Sequence, residues 1–308
     1  MNAPEMSATP LAVNETDATW RRLFLRTYEI YWEQFAIFFR MALVPAVVAY
    51  GFTLFWRIAT RWVLHQLPSR SVQRGLVGIL NGWGSGAGYW IISAFFFAAV
   101  AAHVLAPKSL HESAISDAYS VAKSRLGELV TIALLTWTLF WFLRGLAAFA
   151  ILWPLLGRIS SRYNWLLELL LGLLLVVIGG LLSRLGLVIP ELVLHPDTQL
   201  KTAIKNSLRK SEGWERFFIL LLAKSAVIAY CAYWLLGIGM DFLWERSRVA
   251  PDVYSWLEWV LYIVTAAVLE PPLFIAFSLL HREIESSTNQ TESVEASAEG
   301  CNTSFSPR

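Results

Sequence analysis

Long apolar runs alternate with short mixed ones along this chain. Six continuous apolar stretches of roughly 20 residues, enough to cross a hydrocarbon core of about 30 Å as helix, lie near 35–56, 84–106, 129–153, 165–194, 217–238 and 256–280. Their apolar positions are continuous rather than alternating, which predicts spanning helices and not barrel strands. The fourth stretch is interrupted by Gly179, Gly180 and Arg184, so it reads either as two shorter pieces or as one tilted span.

A mixed segment leads into the first, third and fifth stretches, at Tyr31-Trp32-Glu33-Gln34-Phe35, Arg125-Leu126-Gly127-Glu128-Leu129 and Gly213-Trp214-Glu215-Arg216-Phe217. Each segment carries apolar residues at helical spacing. Trp20, Leu23, Phe24, Tyr28, Tyr31 and Phe35 share a face in the first; Leu110, Ala114, Ile115, Ala118, Val121, Ala122 and Leu126 do so in the second. Leu200, Ala203, Ile204, Ser207, Leu208, Ser211 and Trp214 repeat the arrangement in the third, opposite Lys201, Lys205, Asn206, Arg209, Lys210 and Glu212. Ser109 and Glu112 are spaced as a capping box. Pro107 and Pro196 close two of the even-numbered stretches, because proline cannot continue a helix's hydrogen bonds. The pattern predicts three units of about ninety residues, 19–107, 108–196 and 197–282, each an interfacial amphipathic helix followed by a membrane hairpin.

Composition narrows the class. With 56% apolar, 14% aromatic and 16% charged residues and a mean hydropathy of +0.51, the chain holds more apolar surface than a soluble core absorbs. It reads as an all-α polytopic membrane protein. Residues 1–18 and 283–308 are polar and predict disordered ends. No basic start and short apolar core precede the first span, so no cleavable signal peptide is expected. Asn289-Gln290-Thr291 matches a glycosylation sequon, a match that a Ser/Thr-rich tail produces by chance. Lys and Arg flanking the spans favour the side bearing both termini, thirteen against eight, which places the ends in the cytoplasm of a cell-membrane protein. Arg57, Arg61, Arg70 and Arg74 in the first outer loop count against that orientation.

The run Arg184-Leu185-Gly186-Leu187-Val188-Ile189-Pro190-Glu191-Leu192-Val193-Leu194 and the Ala203–Trp214 segment after it resemble a broad group of bacterial six-span membrane proteins. That group includes the membrane domain associated with glycerophosphoryl diester phosphodiesterases. The resemblance covers about residues 20–282 and implies architecture alone. No segment of catalytic-barrel size and no His and acidic ligand set is left for the phosphodiesterase itself.

Ionisable residues inside apolar runs are the best functional candidates, since a central charge costs about 2.5–3.5 kcal/mol unless paired or hydrated. Arg184, Lys224 and Glu270 lie seven to ten positions from the proposed cytoplasmic helix ends and could share one layer. Pro271-Pro272 after Glu270 frees backbone carbonyls, as an ion or substrate pathway would use. The alternative is a buried pair fixing helix register, with the two cations reaching toward headgroups. Lys201, Lys205, Arg209 and Lys210 form a basic face suited to anionic lipid headgroups, or one that merely orients the next span.

Other chemistry fails on spacing. The five histidines form no metal pair, Cys231 and Cys301 no redox site, and dispersed basic residues no nucleic-acid surface. The run Asn81 to Gly88 looks like a phosphate loop, but no strand precedes it; glycines four apart instead predict close helix packing. No catalytic residue, metal or cofactor is expected; the lipid bilayer, with its anionic headgroups, is an expected partner, and the sequence specifies neither a protein partner nor an oligomer. Two function classes follow: a nonenzymatic scaffold or assembly component, or a transporter of a small molecule or lipid using the polar layer.

Overall fold

A computed structural model of the chain describes residues 13–68, 72–106, 115–147, 174, 177–180, 182–212, 214, 217–224, 227–228, 231 and 251–302. All regular structure among them is helical: α1 (Val13–Glu33), α2 (Phe35–Gln66), α3 (Val72–Leu105), α4 (Ile115–Ser124) and α5 (Leu126–Ala147), then a 3-10 turn (Ser183–Leu187), α6 (Val188–Leu194), α7 (Leu200–Lys210) and α8 (Pro251–Asn302). Five stretches are long and apolar enough to cross a membrane: α2, α3, α5, Val177–Leu194, and Trp259–Ser287 within α8. The chain is therefore a multi-pass, all-α membrane protein. The stretch predicted at 217–238 is helical where described, and most of its second half lies outside the described residues, as does the Ser109–Glu112 cap.

Two spans outrun the apolar pattern that predicts them. α2 continues to Gln66 and α3 begins at Val72, because Arg57, Arg61 and Arg74 end hydropathy without ending a helix. Proline does end it: Leu67, ahead of Pro68, is extended at φ −99° and ψ 142°, the conformation forced on a residue before proline. The polar end differs from expectation in the same way. α8 runs through Asn302 across a segment whose composition predicts disorder. Residues 283–299 contain neither Pro nor Gly, so a helix already nucleated in the membrane propagates through them at little cost. Likewise α1 starts at Val13, inside the predicted disordered start.

Each mixed-to-apolar junction is a break between two helices. Gln34, Arg125 and Trp214 are non-helical, and in each case the residue four positions on, Phe38, Leu129 or Phe218, donates its backbone N–H back to that residue's carbonyl. Burial recurs around the three junctions. Seven positions before lie Thr27, Ala118 and Ser207; three before lie Tyr31, Ala122 and Ser211; four after lie Phe38, Leu129 and Phe218, and all nine are buried.

The packing has a cyclic order. α1 packs on α8, α4 on α3 and α7 on α6, while α3, α6 and α8 pack on one another. These three form the centre. In the most apolar parts of α3, of Val177–Leu194, which ends in α6, and of α8, 56%, 53% and 44% of the residues are buried, against 33% for α2 and 28% for α5. The outer helices expose Val44, Val47, Val48 and Phe55 of α2 and Leu135, Leu139 and Phe142 of α5, an apolar exterior that suits lipid and would aggregate in water.

The predicted glycine face of α3 packs against rings rather than bare backbone. A methyl group on Gly86 would overlap Trp137, and one on Gly88 would overlap Phe52. Trp137 is held in its notch by its indole N–H, which donates to the Trp83 carbonyl at 2.8 Å.

Two of the carbonyls released by prolines inside spans accept from tyrosines. Pro45 cannot bond the Met41 carbonyl, and Tyr119 of α4 donates its hydroxyl there at 2.5 Å. Pro272 leaves the Val268 carbonyl without a partner four residues on, and Tyr31 of α1 donates to it at 2.9 Å. Burial, and for Tyr31 also the neighbouring Tyr28, pushes both phenols up to about 12, so both remain donors at neutral pH. Tyr31→Phe and Tyr119→Phe should each cost about 1–3 kcal/mol of stability, the cost of an unsatisfied buried carbonyl, measured by unfolding in micelles. A phenol whose folded value is raised stabilises fully below its unfolded value of about 10 and loses that contribution as pH climbs toward 12. The penalty of either variant should shrink over that alkaline window.

Candidate functional site: a cavity at Glu270 and a polar cluster at Glu191

The central helices do not close completely on one another. A cavity of about 350 Å³ lies between α3, α5, the 177–189 region and α8. Its walls are mostly apolar, with Ala94, Phe97, Ala133, Phe274 and Phe277 among them, and the Ser93, Thr136 and Ser183 side chains are also in the lining. Among the described residues of that lining, Glu270 is the one carboxylate. Tyr89 of α3 donates its hydroxyl to Glu270 Oε1. The cavity is thus an apolar chamber with a carboxylate and phenol pair fixed in its wall, and an ionisable group within an apolar run is costly unless it is paired or hydrated.

The three residues expected to share a layer have separate surroundings. Arg184 sits in the 3-10 turn, where its Nε donates to Ser211 Oγ at 2.8 Å and its Nη2 to the Leu208 carbonyl at 2.6 Å. Leu208 is in the last turn of α7, so the guanidinium caps the negative end of that helix. Ser207 answers by donating to the Arg184 carbonyl at 2.5 Å. Lys224 lies in a different recess, its ammonium 4.7 Å from the centre of the Phe24 ring, against Leu269 and Pro272 of α8. Glu270 faces the cavity with Tyr89. The Val268 carbonyl, expected to be open to an ion below Pro272, accepts from Tyr31 instead.

A second polar group forms where α6, α7 and α8 meet. Glu191 is 1% exposed. Its Oε1 accepts from Asn206 Nδ2 at 3.0 Å, and its Oε2 accepts from Lys210 Nζ at 3.0 Å and His281 Nε2 at 2.8 Å. Lys210 also lies 3.8 Å from Glu285 Oε1, which is 3.0 Å from His195 Nε2. His281 Nδ1 is buried with no hydrogen-bond partner among the described residues. The cluster adjoins the cavity: Ile189 and Phe277, in the cavity wall, stand one turn or less before Glu191 and His281.

Of the four basic residues expected at headgroups, Lys201, Lys205 and Arg209 are exposed on α7. Lys210 turns inward to Glu191. Helical spacing alone cannot separate these positions, since Lys210 lies at the edge of the polar face and a buried carboxylate decides its direction. Glu191 was legible by the criterion that singles out Glu270, an acid within an apolar run, yet the adjoining Pro190 and His195-Pro196 make it read as a helix end. Tyr89 carried no signal beyond its place in a span.

Among the described residues no group of three His, Cys, Asp or Glu side chains is arranged to hold a metal ion. Comparison with protein-family models, with curated proteins and with solved structures gives no match for this chain.

Proposed function

We propose that this protein binds an amphipathic or apolar small molecule or lipid within the membrane and moves or presents it, using the cavity at Glu270. The observation that carries the reading is the chamber of about 350 Å³ that includes both Glu270 and Tyr89. Its volume falls in the range of small-molecule sites, about 300–1,000 Å³, and apolar walls with few polar groups are typical of them. A carboxylate accepts hydrogen bonds, so the ligand carries a hydroxyl or amine head and an apolar body. A scaffold acting through its outer surface would have no use for such a chamber and would be expected to pair Arg184, Lys224 and Glu270 together.

In the same reading, the protein sits in the cell membrane with both termini in the cytoplasm, where flanking basic residues favour them. α1, α4 and α7 are interfacial helices of three duplicated units, each packed on the preceding unit in the ring, as the recurrent burial at the junctions supports. The likeness of residues 20–282 to the six-span group belongs to this proposal as a statement of architecture, and no hydrolysis is attached to it.

Extraction of the purified protein and mass spectrometry of what leaves with it tests the function. A compound of one chemical class should be recovered near one per protein and enriched over the surrounding lipid. Recovery of bulk lipids in their bulk proportions, with nothing enriched, would count against the proposal.

A further inference from the structure

Given that the Glu270 chamber is a binding site, on which this rests, we propose that its ligand is a long-chain primary ammonium. Glu270 is the counter-ion of the head group, and the hydrocarbon body lies against the apolar walls.

Charge is the first reason. Among the described residues of the lining there is one carboxylate, that of Glu270, and no Lys, Arg or His. The two cations expected beside it lie elsewhere, Arg184 at the end of α7 and Lys224 over the Phe24 ring. Among the described residues the Glu270 side chain accepts one hydrogen bond, from the Tyr89 hydroxyl, a neutral donor that leaves the negative charge in place. An ionised carboxylate in an apolar wall is costly until a cation or water meets it. An ammonium entering the chamber supplies that charge where attraction is stronger than in water. Trp90, Phe97, Phe140, Phe274 and Phe277 also line the chamber, and aromatic faces attract cations.

The direction of the hydrogen bonds is the second reason. Thr136 donates its hydroxyl to the Ile132 carbonyl at 2.8 Å, Ser183 donates to the Gly180 carbonyl at 2.6 Å, and Tyr89 donates to Glu270. With their hydrogens committed, these three oxygens can offer a ligand lone pairs only. Ser93 and Trp90 are the other polar residues of the lining, and each carries a donor. Acceptors therefore outweigh donors. That balance suits an ammonium, with three N–H groups and no lone pair, better than a hydroxyl, with one O–H and two lone pairs. An N–H given by an ammonium to a carboxylate is also about twice as strong as a neutral hydrogen bond.

The test uses the full chain in phosphatidylcholine nanodiscs at neutral pH. A photoreactive long-chain alcohol is the reporter, and unreactive chains of one length, ending in hydroxyl or in ammonium, are the competitors. Label on the peptides carrying Phe97 and Phe274, both in the chamber wall, should be displaced by the alkylammonium at roughly one-tenth of the bilayer mole fraction that the alkanol needs. That ratio is what a charge-assisted contact adds over a neutral one. In Glu270→Gln protein the alkanol should still displace the reporter, and the ammonium should lose its advantage.

Equal potency of the two chains on labelled wild-type protein would overturn the ammonium while leaving the chamber a binding site, and that comparison needs no variant to fold. A tenfold advantage that persists in Glu270→Gln protein unfolding at the wild-type temperature would overturn it as well. Absence of any label on the chamber peptides that an excess of either chain reduces would remove both the ammonium and the site.

Discussion

Glu191→Ala should destabilise the folded protein by roughly 3–5 kcal/mol, the cost of removing one partner from a buried ionic pair. The size follows from what the carboxylate holds. Asn206, Lys210 and His281 all donate to it from two other helices. Its loss leaves the Lys210 ammonium, whose side chain is 15% exposed, without its closest acceptor. It also strips the second ring nitrogen of a histidine whose first is already unpartnered among the described residues. Glu191→Gln should cost less, since an amide oxygen still accepts one donor while its N–H₂ opposes the others. Glu128→Ala offers the contrast. Glu128 pairs with Arg125 three residues away at 3.1 Å and is 33% exposed, and pairs of that kind are worth about 0–1 kcal/mol. Denaturant titration in micelles separates the two, and equal, small losses for Glu191→Ala and Glu128→Ala would show that the cluster does not hold α6, α7 and α8 together.

The second large effect concerns the chamber. Ala133 of α5 is 3% exposed and lies in the cavity wall, so a phenylalanine there projects into open space rather than into packed atoms. Ala133→Phe should abolish labelling of the chamber by a photoreactive long-chain alcohol, which has the hydroxyl head and apolar body that Glu270 and its surroundings call for. Stability should change by no more than the roughly 1–3 kcal/mol that extra core volume costs, and less if the void accepts the ring. Glu270→Gln should weaken labelling without abolishing it, because the amide retains an acceptor while the walls are unchanged. Labelling equal to wild type in folded Ala133→Phe protein would mean that the probe sits elsewhere.

The three mixed-to-apolar junctions were legible from sequence because a change in polarity and a break in the helix fall together at Gln34, Arg125 and Trp214. Span ends were less so. Hydropathy follows side chains, whereas helices follow backbone hydrogen bonds, and so α2 runs ten residues past its apolar stretch to Gln66 and α8 continues through Asn302. Pro107 and Pro196 follow the ends of α3 and α6, and no equivalent proline follows His281. Glu270 was legible as an acid in an apolar run, but its partner was not. Lys224 and Arg184 both carry the charge opposite to that of Glu270 at a similar depth along their runs, yet helix rotation turns them to other neighbours, and depth along a chain carries no information about rotation. The same limit hid the Tyr31 and Tyr119 bonds to proline-released carbonyls, which join residues 237 and 78 positions apart.

Peptide mapping of the photoreactive alcohol on wild-type protein in nanodiscs tests most directly whether the chamber at Glu270 is a binding site. The label should fall on residues that line the chamber, such as Ser93, Phe97 and Phe274, and should be reduced by an excess of the unreactive alcohol. Label confined to lipid-facing residues such as Val47, Phe55 and Leu139, and undiminished by that competitor, would contradict it.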